Sequence, residues 1–390
     1  MKLKFILTIT FLVTTLFLSA QTSGLIVNPN IALLSDSIES KQLLSSLNDF
    51  LVAAQKPNEE NKFILPSEKI ETYVLLDEIN GIAKSGRFKD DFFYKPYLTN
   101  VVPLKESKYL IQVSYIGVDE KTPLTRASFK FIATKTNNTF LFSSTLIRNS
   151  RNWKVLKVGN NIFHYQSDIN KAKTKEYDKM ASVFDGKLKS KDKITEFYCT
   201  ENFAEVLNLI GVDYKSDYNG YTENTLSSSL GDRKVIVLGN NNANFNDFDP
   251  HDLWHDRLSL VISRRKVNKP IDEACAYLYG GSWGISWKDI FKQFETKIAS
   301  DKNSNWSDYK ENPVNFGESQ ARHLMVDYVV NALIVQKIEK EKGFDGVWEF
   351  LNCGPYEKGN ENYYKTLEKL TGITRNNYND KVWELIKNEK

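Results

Sequence analysis

The segments D-P-H-D-L-W-H-D-R-L (249–258) and P-I-D-E-A-C-A-Y-L-Y-G-G (270–281) are joined by a short basic link. His251 and His255 are four residues apart, which places both imidazoles on one face of a helix, one turn apart. Glu273 follows in a second helix-capable run that a turn can fold back against the first. Two His and one Glu around an open fourth position form a catalytic zinc shell. The two segments therefore predict a Zn²⁺ site with these three ligands.

This pair of segments resembles the gluzincin metallopeptidases, and most closely the peptidase MA-like group. That family carries H-E-x-x-H on one helix and an E-G-x-A-x-Y-type segment on the next; here they read H-D-L-W-H and E-A-C-A-Y-L. The resemblance covers roughly 165–390. It implies a mostly helical zincin-like domain that hydrolyses peptide bonds in a peptide or protein substrate, with Zn²⁺ as cofactor.

One residue of the first motif departs from the family pattern. Asp252 stands where the family has the Glu that polarises the attacking water, and its side chain is one methylene shorter. Asp252 is therefore either the general base that takes the water's proton or a residue that only orients a ligand. The first hypothesis is a secreted zinc peptidase. The alternative is a catalytically impaired pseudo-peptidase that acts as a binding or scaffold protein of the cell envelope.

Several neighbouring side chains are candidates for supporting roles, each with an alternative. Asp256 could accept an imidazole N–H, or pair with Arg257 at the surface. Asp272 could replace Glu273 as the third ligand, and the two histidines could instead be surface or capping residues. Gluzincins also supply a residue that stabilises the oxyanion, and the sequence does not choose among three candidates: Tyr309, His323 and Tyr328.

The first twenty residues predict an export signal. Lys2 and Lys4 form a positive start, 5–18 is an apolar core, and Leu18-Ser19-Ala20 is a cleavage site. The apolar run is too short for a stable membrane span, and no later stretch could cross a bilayer. We therefore expect an exported protein, periplasmic or secreted, with no membrane span after signal removal.

Composition limits the function further. The formal net charge is +3, and losing the two lysines of the signal leaves +1, so there is no strong electrostatic case for binding nucleic acid. Three cysteines are too few for a disulfide scaffold, although one pair could bridge. Cys275 is expected to be a small buried residue. The oligomeric state cannot be predicted.

Periodicity predicts an α+β chain with an N-terminal domain at 21–163 and a second domain at 164–390, which the resemblance implies to be gluzincin-like. In the first domain, helices are followed by a run of antiparallel strands, a pattern similar to NTF2-like or cystatin-like domains. We expect it to be a packing or docking module. The predicted helices are 36–54 and 66–79, and the predicted strands are 109–116, 126–133, 139–147 and 153–158.

The second domain is predicted to begin at a seam near Phe163-His164-Tyr165. Val235–Leu238 would form the rim of a zincin cleft, with a free edge that could pair with an extended peptide. The predicted strands are 194–199 and 233–238. The predicted helices are 169–184, 203–210, 250–262 with a basic end at 264–266, 270–280, 287–298, 321–342, 344–351, 363–370 and 379–387, with a loop at 301–317.

Overall fold

Segments whose apolar residues repeat every two positions form strands, and segments in which they repeat every 3.6 positions form helices. The fold is therefore mixed α+β, as predicted. The computed structural model describes residues 24–190, 193–221, 224–319 and 322–389; the predicted export signal at 1–20 lies outside them. The strands are β1 (Ile26–Val27), β2 (Lys95–Pro103), β3 (Lys108–Asp119), β4 (Thr122–Thr136), β5 (Thr139–Ser143), β6 (Lys154–Val158), β7 (Asn161–Tyr165), β8 (Ile194–Cys199), β9 (Val212–Lys215), β10 (Asn224–Leu230) and β11 (Arg233–Gly239). The helices are α1 (Ser37–Ala53), α2 (Lys69–Ile79), α3 (Leu146–Ser150), α4 (Lys171–Leu188), α5 (Phe203–Ile210), α6 (Pro250–Ser259), α7 (Lys269–Gly280), α8 (Trp287–Lys297), α9 (Trp306–Glu311), α10 (Val326–Leu351), α11 (Glu361–Thr371) and α12 (Tyr378–Asn388).

The chain forms two compact units, each discontinuous in sequence. Unit 1 consists of the described residues up to Trp153, together with those in 200–228 and 235–241. Unit 2 takes 154–199, 229–234 and the chain from Asn242 onward. Across the helices that the structure describes, none combines the length and apolarity needed to cross a bilayer.

Unit 1 is built on a sheet ordered β1-β2-β3-β4-β5, with β9 also paired to β4. Strands β2 to β5 pair antiparallel with one another in chain order, whereas β1 pairs parallel with β2. Alternate residues of β3, such as Ile111 and Val113, are buried. Helix α1 is anchored by Phe50, whose ring contacts Phe131 and Phe142. Three of the four predicted strands lie in this sheet as β3, β4 and β5, whereas the fourth, at 153–158, is β6 of the second sheet. Strands β1, β2 and β9 were not predicted. The likeness to NTF2-like or cystatin-like domains stays a prediction.

The strand predicted at 139–147 is too long. It ends at Ser143, and α3 follows, because two hydroxyls turn the chain. The Ser144 hydroxyl donates to the Ile210 carbonyl at 2.7 Å, and the Thr145 hydroxyl donates to the Leu209 carbonyl at 3.0 Å. The Ser144 hydroxyl oxygen also accepts from the Leu146 N–H at 3.1 Å, and such a local side-chain bond to the backbone competes with strand pairing.

The helix predictions need similar corrections in unit 2. Helix α9 lies inside the predicted loop at 301–317 and is capped by Asn305, whose side chain accepts from the Asp308 N–H. Helix α10 starts at Val326, whereas the predicted start, Ala321, lies outside the described residues. The two predicted helices at 321–342 and 344–351 are separated only by a non-helical Gly343.

The second sheet has the order β10-β11-β8-β7-β6. Strand β11 therefore has a neighbour on both sides, and the prediction of a free edge at Val235–Leu238 is wrong. The predicted seam lies in β7, which pairs antiparallel with β6 and parallel with β8. Cys199, Cys275 and Cys353 are free thiols, and Cys275 is fully buried, as expected.

Helices α6 and α7 form the hairpin that carries the predicted ligands. Asp249 caps α6, since its carboxylate accepts from the His251 N–H at 2.9 Å. The backbones of the two helices meet where α7 ends: a Cβ on Gly280 would lie 2.5 Å from the Pro250 carbonyl group. Gly281 follows with φ 78° and ψ −153°, a backbone conformation that only glycine adopts readily.

Helix α6 is shorter than predicted. It ends at Ser259 instead of continuing through Ile262 to the basic residues at 264–266. The N–H groups of Val261 and Ile262 both bond to the Leu258 carbonyl, so the chain turns there. Arg264 consequently does not serve as a helix-terminal cation but returns toward α7.

A buried ion pair anchors the opposite side of α6. Arg257 is only 1% exposed; its Nε and Nη2 donate to the Asp185 carboxylate at 2.7 Å each, and its Nη1 donates to Thr195 at 2.7 Å. The predicted surface pair between Arg257 and Asp256 is therefore wrong, because Arg257 lies on the buried face. Burial raises the pKa of Asp185, and the guanidinium opposes that shift.

Asp185→Ala is expected to lower the free energy of unfolding of unit 2 by about 3–5 kcal/mol, since it leaves a buried guanidinium without its carboxylate. Hydrogen exchange of the α6 amides during urea denaturation measures the loss. Asp345→Ala is the control: it removes an ion pair with Lys189 whose side chains are 79% and 76% exposed, and should cost about 0–1 kcal/mol. Equal losses in the two variants would contradict the anchoring role.

Candidate metal site

Three side chains from the α6–α7 hairpin converge on one point. His251 Nε2 and His255 Nε2 are 3.1 Å apart. Glu273 Oε2 lies 3.3 Å from His251 Nε2 and 3.5 Å from His255 Nε2. The structure thus brings the three predicted ligands within metal-binding distance of one another.

The Nδ1 atoms of both imidazoles are held by hydrogen bonds. His251 Nδ1 is 2.8 Å from the Gly281 carbonyl oxygen, which can only accept, so Nδ1 carries the proton. His255 Nδ1 is 2.9 Å from Asp272 Oδ1, and the same assignment follows. The nitrogen that faces Glu273 is in both cases Nε2, which offers its lone pair to a metal ion once it carries no proton. This orientation by the distal nitrogen is typical of metal-ligating histidines.

Asp272 supports the histidines from behind and does not join the three converging atoms. Its Oδ1 accepts from His255 Nδ1 and from Trp254 Nε1 at 3.1 Å, and its Oδ2 accepts from Arg264 Nε at 2.7 Å. The residue is 1% exposed, so these bonds replace its hydration. Asp272 therefore occupies the imidazole-orienting position for which Asp256 was the sequence candidate.

Asp256 lies on another side of α6. Its Oδ1 accepts from Lys234 Nζ at 2.6 Å, and Lys234 is 4% exposed. Its partner is thus neither of the two predicted groups, an imidazole N–H or Arg257. Neighbouring positions on a helix point about 100° apart, which separates Asp256 from His255.

Opposite charges on the histidines and the neighbouring carboxylates stabilise the cluster of His251, His255 and Glu273. Burial lowers the pKa of His255, but hydrogen bonds to Asp272 and Glu273 outweigh it and raise that pKa to about 9. Burial also raises the pKa of Glu273, yet His251 and His255 outweigh it and hold the pKa well below its usual range. At neutral pH a carboxylate therefore faces a protonated imidazole, and a bound metal ion would take the place of that proton.

A cavity of about 310 Å³ opens onto the cluster. Asp252 is exposed to it; partial desolvation raises the pKa of its carboxyl group, and the Asp249 carboxylate adds to the shift. The lining residues are Asp249, His251, Asp252, His255, Arg264, Glu273, Tyr277, Ser282, Trp283, His323 and Tyr328.

Two of the three oxyanion candidates line this cavity. Tyr328 and His323 are both at its wall. Burial raises the pKa of the Tyr328 phenol, and the Glu273 carboxylate raises it further, so the phenol keeps its proton at neutral pH. Tyr309 instead packs on α9 against Trp306, with ring centroids 5.8 Å apart, outside the set of lining residues.

Two site residues, Arg264 and Tyr277, were not predicted, and the position of Trp283 was left open. Arg264 contacts both carboxylates, but in the sequence it looks like one more cation at the end of a helix. Tyr277 lies beside His251, with ring centroids 5.8 Å apart. Trp283 Nε1 donates to the His323 carbonyl at 3.1 Å and forms part of the cavity wall. The sequence left Trp283 as either a core or a rim aromatic, and the structure places it at the rim.

Searches against protein-family models, curated proteins and solved structures found no match to this chain. The resemblance to gluzincins therefore stays a prediction carried by the two motifs, and the metal-binding geometry stands on its own.

Proposed function

We propose that this chain holds one Zn²⁺ through His251, His255 and Glu273 and hydrolyses peptide bonds. The supporting observation is the triangle of donor atoms, with sides of 3.1, 3.3 and 3.5 Å. Ligands placed 2.0–2.1 Å from zinc at tetrahedral angles lie about 3.3–3.4 Å from one another. The three donor atoms therefore fit the ion with little rearrangement and leave a fourth position for substrate or water.

A zinc ion bound there would polarise a carbonyl group and make water a stronger acid, toward a pKa of ~7. Asp252 is the general base of this proposal, because its carboxylate is exposed in the same cavity and carries a raised pKa. Tyr328 is the proposed hydrogen-bond donor to the oxygen that gains charge, because its phenol stays protonated. A peptide or protein substrate, and export by residues 1–20, belong to the same proposal.

Metal-free protein is expected to bind one Zn²⁺ per chain, and His255→Ala should weaken binding by more than about 100-fold, because it removes a ligand rather than an outer contact. Calorimetric titration with Zn²⁺ measures both. His164→Ala is the matched control, since His164 contacts Glu196 in β8 and lies outside the cavity wall. Zinc bound equally well by His255→Ala and wild type would rule out this site.

Asp272→Asn is expected to weaken zinc binding by about 10- to 100-fold, since the amide no longer holds the His255 imidazole as a carboxylate does. Competition with a chromogenic chelator gives the affinity. Asp256→Asn changes the same chemical group on a residue that pairs with Lys234, and its affinity should equal that of wild type. If both variants retain wild-type affinity, Asp272 does not support the site.

Asp252→Asn is expected to lower the rate of peptide hydrolysis by about 10²- to 10⁴-fold, the usual contribution of a general base, with zinc affinity little changed. Cleavage of casein or a peptide library measures the rate, and Asp256→Asn is again the control. The pseudo-peptidase alternative gives the opposite pattern: no cleavage by wild type, and activity gained by Asp252→Glu.

A further inference from the structure

Arg264 joins the two carboxylates that surround the histidine pair. Its Nε donates to Asp272 Oδ2 at 2.7 Å, and its Nη2 donates to Glu273 Oε1 at 3.0 Å. The same Nη2 lies 3.4 Å from His255 Nε2. A single guanidinium therefore contacts two proposed ligands, Glu273 and His255, and also holds the carboxylate that orients His255.

These contacts divide the oxygens of each carboxylate between two tasks. Glu273 turns Oε2 toward both histidines and gives Oε1 to Arg264. Asp272 gives Oδ1 to His255 and Oδ2 to Arg264. The last torsion of a Glu or Asp side chain is broad and nearly two-fold, so an unrestrained carboxylate turns easily. The planar fork of Arg264 removes that freedom for both residues at once.

The connection between α6 and α7 fixes where this guanidinium lies. At one end the chain is turned by the two bonds to the Leu258 carbonyl. At the other end Val267 and Asn268 are 2% and 1% exposed, and the Asn268 N–H donates to the Leu351 carbonyl at 2.9 Å. Arg264 lies between two anchored points, with its side chain 40% exposed at the cavity wall.

We propose that Arg264 is a positioning residue that restricts Glu273 to one-oxygen ligation and thereby keeps the fourth coordination position of the metal open. This inference rests on the proposed zinc site. A carboxylate can bind a metal ion through one oxygen or through both. With Oε1 bonded to the guanidinium, only Oε2 is free to ligate. Without Arg264, the second oxygen can turn to the metal and fill the position that substrate or water needs.

Cobalt substitution tests this inference without measuring hydrolysis. The visible absorption of protein-bound Co²⁺ is intense at four-coordinate sites and weakens when a fifth ligand binds. Wild type and Arg265→Ala are expected to show the intense spectrum; Arg265 is the exposed neighbour with the same charge. Arg264→Ala and Arg264→Lys should both show the weaker one, because lysine keeps the charge but lacks the fork that reaches two carboxylates.

Azide, a small anion that occupies an open metal position, gives an independent measurement. Its affinity for the Co²⁺ protein is expected to fall by about 10- to 100-fold in both Arg264 variants and to stay unchanged in Arg265→Ala, in line with other outer contacts of metal sites.

The outcomes separate the two proposals. If wild type binds Co²⁺ and both Arg264 variants keep its spectrum and azide affinity, the role of Arg264 is overturned while the metal site stands. If wild type binds neither Co²⁺ nor Zn²⁺, the metal site fails and the inference fails with it. Should Arg264→Ala not fold, Arg264→Lys decides the question alone, because it keeps the positive charge beside Asp272 and Glu273.

Discussion

The hydrogen bond from His255 Nδ1 to the buried carboxylate of Asp272 is the interaction on which the candidate site depends. It fixes one imidazole, it ties α6 to α7, and it places a negative charge where only paired charges are tolerated. Trp254 and Arg264 complete that pairing, so a carboxylate with 1% exposure has no free oxygen. Because Asp272 bonds both to His255 and Arg264 of the site and to the buried Trp254, the geometry of His255 is coupled to the packing of the hairpin.

Helix α6 performs different tasks on its different sides. His251 and His255 face the cavity, while Trp254 and Arg257 are fully buried and Asp256 pairs with Lys234. This arrangement explains why a helix of ten residues can carry a site: one side is anchored by an ion pair and by aromatic packing, and the other is left free to bind. The position of the helix that carries the two imidazoles is thus fixed by Trp254, Asp256 and Arg257, which do not line the cavity.

The sequence predicted most of the helices, the antiparallel run of unit 1 and the three converging side chains, because helical spacing alone brings His251 and His255 together. It could not separate Asp256 from Asp272 as the partner of His255, since that choice depends on how the second helix docks. The role of Arg264 was not predicted because α6 ends early. The backbone hydrogen bonds that turn the chain there have no clear pattern in the sequence. The edges of β11 were misjudged because strand order follows from long-range pairing that apolar periodicity does not encode.

The two glycines at the end of α7 have a consequence for how such a site can vary. Gly280 lets the main chain of α7 contact the main chain at Pro250, and the Gly281 carbonyl oxygen accepts a hydrogen bond from His251 Nδ1–H. The separation of the two helices at this end is therefore set by backbone atoms and is unchanged as long as position 280 remains glycine. Side chains around the cavity can change in size and alter what enters it, while the distance between the ligand atoms on the two helices stays the same.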